Sequence, residues 1–406
     1  MLSLNYPPEP TGIASYTGAL AAGLTAAGYA VEAHVAHPHY PEWSIHEGYG
    51  QWTSAEQLDG VSVLRRLHYV PQPPRGLRRL LSELSFGVRL VLSRWSGPRV
   101  VIALSPPLFA TALTVLRLRL TPRRPRLIVW VQDIYSLGLA ETGEGGELVR
   151  VVTGRVEAHT LRAADRVVVL HQRFADFLVR ELGVSPSRIV VLRNWTHLRP
   201  SEEVDASSAK AALGWPNDMT LAVHTGNMGA KQALENVVDA ARIADERGAP
   251  VHFILVGDGG ERRSLEHYAA GVSRISFVDP LDDAEYRLAL GAADVLLVNE
   301  KPGVSAMAMP CKLTSYFDAG RPVVAATDLD GITASEIAEA GAGVVVHAGD
   351  PAELLDAVLS MAADPETAGR YGLNGRRHRE RVLDERIAIE NWTALIDSVA
   401  AGRETP

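Results

Sequence analysis

The chain has 406 residues, more than one hydrophobic core usually organises, so we expect two domains. Its 47% hydrophobic and 22% charged residues are typical of a soluble globular protein, and the sequence has no run of roughly 18 uncharged apolar residues that would span a membrane. The single cysteine, Cys311, excludes an internal disulfide, and the N-terminal residues lack the pattern of a secretion signal, so secretion is not expected. These features predict a cytoplasmic protein.

The net charge of −8 is divided unevenly along the chain. Residues 1–195 hold 21 arginines, no lysine and 15 acidic residues, whereas the remainder holds 19 basic and 33 acidic residues. The basic half either faces an anionic partner, such as the inner face of the plasma membrane, or carries ordinary surface arginines. The sequence alone leaves both interpretations open.

Short apolar runs alternate with helical stretches through the first half of the chain. The runs predicted as strands cover residues 31–36, 61–67, 99–105, 126–132, 165–171 and 188–194. Helices are predicted between them, for example over residues 14–28, 74–95 and 146–164. This alternation is typical of a parallel sheet in a doubly wound α/β domain.

The second half repeats the pattern, with strand-like runs that begin near residues 219, 251, 274, 293, 321 and 342. A polar stretch between Asn194 and Asp218 predicts the interdomain linker. We therefore expect one domain over residues 1–197, a second over residues 198–383, and a last helix, about residues 384–400, that packs back on the first domain.

The segment from Thr225 to Asn236, TGNMGAKQALEN, predicts a strand end, a glycine turn and a helix start. Gly226 and Gly229 would allow close approach of a ligand, and Lys231 with the helix N-terminus would favour an anion such as phosphate. An ordinary glycine turn with a solvated lysine is the alternative interpretation.

A second lysine, Lys312, follows Pro310 and Cys311 in the first turn of a predicted helix that ends at Gly320. A lysine in that position opposes the helix dipole, which a bound anion would explain. Lys231 and Lys312 together predict a diphosphate held between two loops of one domain. Cys311 itself is better interpreted as a small packed residue than as a nucleophile.

The first half offers weaker candidates. Gly12 follows a proline-rich loop and opens a helix, where it would permit close approach of a ligand. Asp133 ends an apolar strand, either as a polar contact for sugar hydroxyls or the reacting centre, or as a helix or loop cap. The helix over residues 74–95 carries Arg75, Arg78 and Arg79 beside many apolar residues, so it either contacts an anionic membrane or packs in the core.

Further loops of the second half could contact a nucleoside. Gly257 lies at a glycine-rich strand exit, and Val278 and Leu281 lie in a segment that could flank a flat base. The histidines lack the spacing of a zinc site, so no metal is expected. The dinucleotide fingerprint and the Walker loop are also missing from the sequence, which weighs against NAD binding and ATPase chemistry.

In this order the motifs resemble those of family 4 glycosyltransferases of the GT-B fold, and in particular the branch of colanic-acid-biosynthesis type. The resemblance is carried by PPEPTGIASYTGALAAGL, HPHYPEW, VQDIYSLGLAETG, RNW, TGNMGAKQALENVVDAAR, PCKL and DAGRPVVA. It implies two Rossmann-like domains that face a central cleft, the N-terminal one binding the acceptor and the C-terminal one the nucleotide sugar.

The resemblance also implies an activity. A hexosyl or N-acetylhexosaminyl group would pass from a nucleotide-diphosphate sugar to an acceptor, with retention and without a metal or other cofactor, in bacterial polysaccharide or glycoconjugate biosynthesis. A UDP-sugar is the favoured donor, with GDP- and dTDP-sugars left open. The acceptor is a lipid-linked saccharide or a small molecule, with peripheral contact to an anionic membrane as an option and no role for nucleic acid.

Residue by residue, Gly12 would approach the donor phosphate or the acceptor. Gly226, Asn227 and Lys231 match the diphosphate-binding loop, and Lys312 matches the lysine of the Pro-Ser-Lys motif. Lys231 and Lys312 would stabilise the departing diphosphate, and Asp133 joins them as a candidate catalytic residue.

The chain also departs from the family pattern. Gln132 replaces a common histidine, Asn227 a common arginine, and Met307 and Ser315 a pair of glutamates. Ser315 would still lie near the donor, and Glu336 is the candidate to replace the missing acidic contact. These departures keep two other functions open: a nucleotide-sugar epimerase or hydrolase of GT-B fold, and a non-catalytic partner subunit.

Overall fold

The structure is a computed structural model that describes residues 1–9, 12–74, 76–142, 146–196, 204–303 and 312–402. Two compact units are present, one of Met1–Trp195 with Glu385–Pro406 and one of Thr196–Asp384. Each unit has a twisted sheet of mainly parallel strands with helices between them. The predicted pair of doubly wound α/β domains is confirmed.

The sheet of the first unit has eight strands in the order β3-β4-β2-β1-β5-β6-β7-β8. All neighbours are parallel except β3 and β4, which are antiparallel. The strands are β1 (Leu2–Ser3), β2 (Glu32–Ala36), β3 (Thr53–Leu58), β4 (Val61–Arg66), β5 (Val100–Ser105), β6 (Arg126–Val131), β7 (Arg166–Val169) and β8 (Ile189–Val191). The helices between them are α1 (Ile13–Ala26), α2 (Gly76–Val91), α3 (Leu108–Leu120), α4 (Tyr135–Thr142), α5 (Gly146–Arg162) and α6 (Gln172–Arg180).

The second unit has a six-stranded parallel sheet in the order β11-β10-β9-β12-β13-β14. Its strands are β9 (Thr220–Thr225), β10 (Val251–Val256), β11 (Ile275–Val278), β12 (Val295–Asn299), β13 (Val323–Thr327) and β14 (Gly343–His347). Its helices are α7 (Ala206–Leu213), α8 (Glu235–Arg247), α9 (Arg262–Tyr268), α10 (Asp283–Ala292), α11 (Lys312–Ala319), α12 (Ile332–Ala340), α13 (Pro351–Ala363) and α14 (Pro365–Val382). The order reverses between β9 and β12, and ligands of doubly wound folds bind at such a point, beyond the carboxyl ends of the strands.

The last helix, α15 (Glu385–Ala400), belongs to the first unit. It packs on α1, where its Ile389 occupies the space beside Gly23, and its Trp392 ring lies 5.0 Å from that of Trp130 on β6. The C-terminal segment forms two helices, α14 and α15. In the part of the chain that the structure describes, no helix is both long and apolar enough to cross a membrane.

Local signals account for many element boundaries. Aspartates cap helices of the second unit: the Asp205 carboxylate accepts from Ser208 N at 2.8 Å, and Asp282 accepts from two backbone amides of α10 at 2.9 Å. Gly248 follows α8 with φ 61°, a left-handed conformation that costs glycine little. The strands between these helices are buried runs of Val, Leu, Ile and Ala, as expected for parallel strands covered on both faces.

Candidate active site

The loops that follow β9 and β10 meet at two glycines. Gly226 has φ 111° and Gly257 has φ 131°, and a Cβ on Gly257 would lie only 2.1 Å from the Gly226 carbonyl oxygen. Gly226 N donates to Val256 O at 2.9 Å, which continues the pairing of the two strands into the loops. Neither position tolerates a side chain without strain, and Gly226 is exposed at the carboxyl edge of the sheet.

Residues 226–234 form an ordered loop before α8 begins. The Asn299 side chain, buried at the end of β12, donates to the carbonyl oxygens of Gln232 and Ala233 at 2.7 and 2.9 Å and accepts from the Asn236 amide at 2.8 Å. Met228 is fully buried in the core of the unit. These contacts fix the loop over the ends of β9 and β12.

Lys312, the first residue of α11, extends its ammonium group to this loop. A Cβ on Gly226 would lie 3.8 Å from Lys312 Nζ, and Nζ is 3.2 Å from Nε2 of His224 on β9. His224 is fully buried, and burial together with the nearby Lys312 keeps its pKa well below the ordinary value. The imidazole is therefore neutral, and its Nε2 accepts a hydrogen bond from the ammonium group.

Burial lowers the pKa of Lys312 to about 7, and the negative charge of Glu300 opposes that shift. Glu300 follows β12, and its carboxylate accepts hydrogen bonds from the hydroxyls of Thr327 and Thr333, the latter at 2.7 Å. Lys312 is consequently a partly desolvated cation that lacks a direct carboxylate partner among the described residues. A desolvated cation of this kind attracts an anion strongly.

Tyr316 holds α11 against the sheet one helical turn after Lys312. Its hydroxyl is fully buried, accepts from Thr225 N at 2.9 Å and donates to Leu297 O at 3.2 Å. Residues four apart share a helix face, so this contact also orients Lys312 toward the end of β9. Ser315 lies on the same helix and is partly exposed.

Two further predicted residues lie beside these loops. Val278 ends β11, and its carbonyl oxygen accepts from Gly257 N at 2.9 Å and from the Arg262 guanidinium at 3.1 Å. Leu281 is partly buried against the core cluster that includes Leu290. Val278 therefore borders the Gly226–Gly257 edge.

Lys231 is exposed, and its side chain has no ion pair in the described ranges. Lys231 lies on the same loop as Gly226. The helix that the motif predicts directly after the glycine turn begins later, because the first residue of α8 is Glu235. The intervening residues form turns, with Gln232 N bonded to Gly229 O at 3.0 Å. The N-terminus of α8 is therefore separated from Gly226 along the chain, and Lys312 is the cation beside that glycine.

The structure does not favour the predicted donor contact of Glu336. Its side chain is buried, only 1% of the residue being exposed, and lies 3.9 Å from His378 of α14. A carboxylate with so little exposed surface contacts protein instead of a ribose. Glu300 is the carboxylate whose charge acts on Lys312. Pro310, Cys311 and the neighbouring Met307 lie outside the described residues.

In the first unit, Gly12 precedes α1 with φ 68° and open space where a side chain would be. Asp133 is exposed in the loop between β6 and α4. The first amides of α4, those of Tyr135 and Ser136, donate to the buried Glu157 carboxylate at 2.7 and 2.9 Å. Asn227, in the second unit, is exposed and packs its amide beside Gly229.

Gln132, next to Asp133, has a partner that the sequence analysis did not identify. Its amide group and that of Asn194 donate to each other at 3.3 and 2.8 Å, and both side chains are buried. The amide pair ties the end of β6 to the RNW motif. This contact gives Gln132 a structural role in the first unit.

The predicted arginines on α2 differ in their surroundings. Arg78 is exposed and donates to Gln72 O at 2.8 Å. Arg79 lies 3.8 Å from the Glu83 carboxylate, which is buried and also accepts a hydrogen bond from the Tyr135 hydroxyl. Arg75 lies outside the described residues.

Among the residues that the structure describes, no group of three or more His, Cys, Asp or Glu could hold a metal ion.

His224, Glu300 and Tyr316 are the site residues that sequence reasoning missed. Each lies within or just after a predicted strand or helix. Which of these side chains meet at the site depends on the order of the strands in the sheet, which the sequence does not give. Parallel strands β9 and β12 are adjacent only because the chain crosses over between them. His224 and Glu300 both lie at the carboxyl end of a predicted strand, where ligands of such folds bind. That position is the one feature of the sequence that could have indicated them as site residues.

Two family models together cover most of the chain. A model described as Glycosyl transferase 4-like domain matches residues 11–195, and one described as Glycosyl transferases group 1 matches residues 220–364. A similar curated protein is WcaI of Escherichia coli, which is named as a colanic acid biosynthesis glycosyl transferase. It is 30% identical over 96% of this chain and 97% of its own length.

Solved structures have the same fold. Sucrose-phosphate synthase from Thermosynechococcus elongatus aligns with a TM-score of 0.72 and 20% identity, over 99% of both chains. HepE of Anabaena, solved with UDP-glucose, aligns with a TM-score of 0.67 and 17% identity, over 98% of this chain and 99% of the other. Both likenesses extend over both units.

Proposed function

Since this chain belongs to the family 4 glycosyltransferases of GT-B fold, we propose that Gly226 and Lys312 bind the diphosphate of its nucleotide-sugar donor. The observation that carries the proposal is the ammonium group of Lys312, which lies beside the backbone of Gly226 at the carboxyl edge of the second sheet. Nearby, the left-handed conformation of Gly257 brings the two loops into contact.

Catalysis in this proposal is stabilisation of the leaving diphosphate. Lys312 donates to a phosphate oxygen while neutral His224 holds the ammonium group from the protein side. Such preorganised charge is usually the largest catalytic contribution, and one charge-assisted hydrogen bond contributes about 1.5–3 kcal/mol. Lys231, on the same loop as Gly226, supplies a second, solvent-exposed positive charge.

Transfer is proposed to proceed with retention and without a metal. The leaving phosphate would take the proton of the acceptor hydroxyl on the face from which it departs. Asp133 of the first unit would contact sugar hydroxyls near the reacting carbon, and Gly12 would approach the donor phosphate or the acceptor. The transfer product analysed by NMR reveals the anomeric configuration, and activity that survives EDTA would support independence from metal.

The donor is proposed to be a UDP-sugar, in keeping with HepE, which is solved with UDP-glucose. Val278 and Leu281 would flank the base, and Ser315 on α11 would lie near the sugar. The acceptor is proposed to be a lipid-linked saccharide in polysaccharide biosynthesis; the relative WcaI is named for colanic acid biosynthesis. Arg78 and Arg79 would face an anionic membrane during transfer.

A thermal-shift screen of UDP-, GDP- and dTDP-sugars tests the donor assignment. The matching donor should raise the unfolding temperature, because a ligand that binds only the native state stabilises it. The same screen on Lys231→Ala and Lys312→Met tests the site. The assignment fails if both variants are stabilised as strongly as the wild type.

A further inference from the structure

A basic groove on the first unit lies between α5 and the end of α6. It has a volume of about 610 Å³, which is in the range of small-molecule sites. Four arginines line it, together with a single glutamate: Arg150, Arg155, Arg162, Arg180 and Glu181. The groove is formed within the first unit and is separate from the Gly226–Lys312 site of the second.

Most of this positive charge is uncompensated. Arg150 pairs with Glu147 at 2.7 Å, but Arg155 and Arg180 have neither an ion pair nor a side-chain hydrogen bond within the part of the chain that is described. Arg162 donates to the backbone oxygen of Ala158 at 3.0 Å. Several unpaired guanidinium groups around one concavity favour an anion, and their planar geometry matches phosphate oxygens.

The groove also has an apolar component. Val151, Phe177 and Leu182 contribute to its lining, so the ligand combines a negative group with apolar atoms. Adjacent positions of α5 expose Leu148, Val149 and Val152, with 77% of Leu148 accessible. Exposed apolar side chains beside arginines are typical of helices that lie in a membrane interface.

The helices that pack beside α5 also expose apolar side chains. α3 packs against α5, and α2 packs against α3. Large exposed apolar residues also lie in α2 or directly after it and in α3: Leu77, Leu81, Val88, Leu92, Leu116 and Leu120. Single exposed apolar residues are ordinary, whereas larger numbers of them on one face favour an interaction surface. The composition of this surface fits a lipid bilayer with anionic headgroups.

We propose that the groove between α5 and α6 binds the phosphate group of an anionic membrane lipid, with the exposed apolar residues of α5 inserted beside it. Arg155 and Arg180 would contact the phosphate oxygens. The inference extends the membrane contact proposed above from Arg78 and Arg79 to a defined lipid site. It does not depend on the donor site, so either assignment can fail without the other.

Vesicle binding by paired charge variants tests the inference. The groove variant carries Arg155→Ser and Arg180→Ser, and the matched control carries Arg263→Ser and Arg381→Ser. The control removes the same charge from two exposed arginines of the second unit that have no partner among the described residues. Sedimentation would use phosphatidylcholine vesicles with and without phosphatidylglycerol, and calorimetry with inorganic phosphate would form a separate arm.

The wild type and the control should bind the phosphatidylglycerol vesicles with similar affinity, and the groove variant should bind roughly 30-fold more weakly, since each arginine at an anionic surface contributes roughly fivefold. Equal weakening of both variants would overturn the inference, as would no vesicle binding by the wild type. Arginine-dependent binding of inorganic phosphate without vesicle binding would overturn the lipid assignment as well. A thermal shift by the donor, measured on the same variants, reports on the other site.

Discussion

Affinity for a nucleotide-diphosphate sugar should fall as the pH rises above about 7, because Lys312 loses its proton there. Burial lowers the pKa of Lys312 to about 7, although Glu300 opposes the shift. The proposed site binds the donor through the charged ammonium group. Each phosphate of a nucleotide sugar keeps a single negative charge across this range, so the protein is the partner that titrates.

The magnitude follows from the protonated fraction. Below a pH of about 7 most Lys312 side chains in the free protein are charged, and the affinity should be nearly constant. One unit above the pKa roughly a tenth remain charged, so the dissociation constant should rise about tenfold, which corresponds to about 1.4 kcal/mol. A dissociation constant that falls as the pH rises would have no explanation in this site.

Calorimetric titration of the donor at several pH values from about 6 to about 9 measures this dependence. Lys312→Arg is the informative control, because a guanidinium group stays protonated throughout the range. Its donor affinity should be independent of pH even if it is weaker overall. A wild-type dissociation constant that stays flat, or a step that persists in Lys312→Arg, would refute the reasoning.

Three further predictions concern the surroundings of Lys312. His224→Phe removes the neutral acceptor of the ammonium group, so transfer should slow roughly tenfold; unaltered turnover would contradict this role. Glu300→Gln removes the charge that raises the pKa of Lys312, so the midpoint of the pH titration should move to lower pH, and an unmoved midpoint would be evidence against it. Met228→Ala empties a fully buried position beneath the Gly226 loop and should destabilise the protein by about 2–5 kcal/mol in urea unfolding; a smaller loss would mean that the loop does not depend on this packing.

Much of the fold could be predicted because the strands of parallel sheets are apolar on both faces. The runs that became β9, β10 and β12 are rich in Val, Leu and other apolar residues, and the strands begin within two residues of the predicted positions. The strand β3 was not predicted, because it lacks such an apolar pattern. It lies at the sheet edge, its side chains are mostly exposed, and the segment TSAEQL therefore has no apolar pattern.

The site was harder to predict than the fold. Gly226 and Lys312 could be selected because a strand exit with glycine and a lysine at a helix start are local signals. His224 could not, because a histidine within a strand is interpreted from sequence as an ordinary buried residue. Glu336 was selected as the acidic contact because sequence spacing does not reveal which carboxylates are buried.

The family was identified before the structure because several motifs occurred in a fixed order. The matches to residues 11–195 and 220–364, and the relative of 30% identity, confirm that prediction. The assignment of individual residues to donor and acceptor remains a prediction. Because the chain has Asn227 where the family commonly has arginine, Lys231 and Lys312 are the cations on which that prediction depends.

The central claim is that Lys312 binds the donor diphosphate beside Gly226. Calorimetric titration of a nucleotide-diphosphate sugar into the wild type and Lys312→Met tests it most directly, since methionine retains most of the side-chain length and removes the charge. The account predicts that the dissociation constant rises at least about tenfold in the variant, the loss of one charge-assisted hydrogen bond. Equal dissociation constants at pH 6, where the lysine is charged, would contradict it.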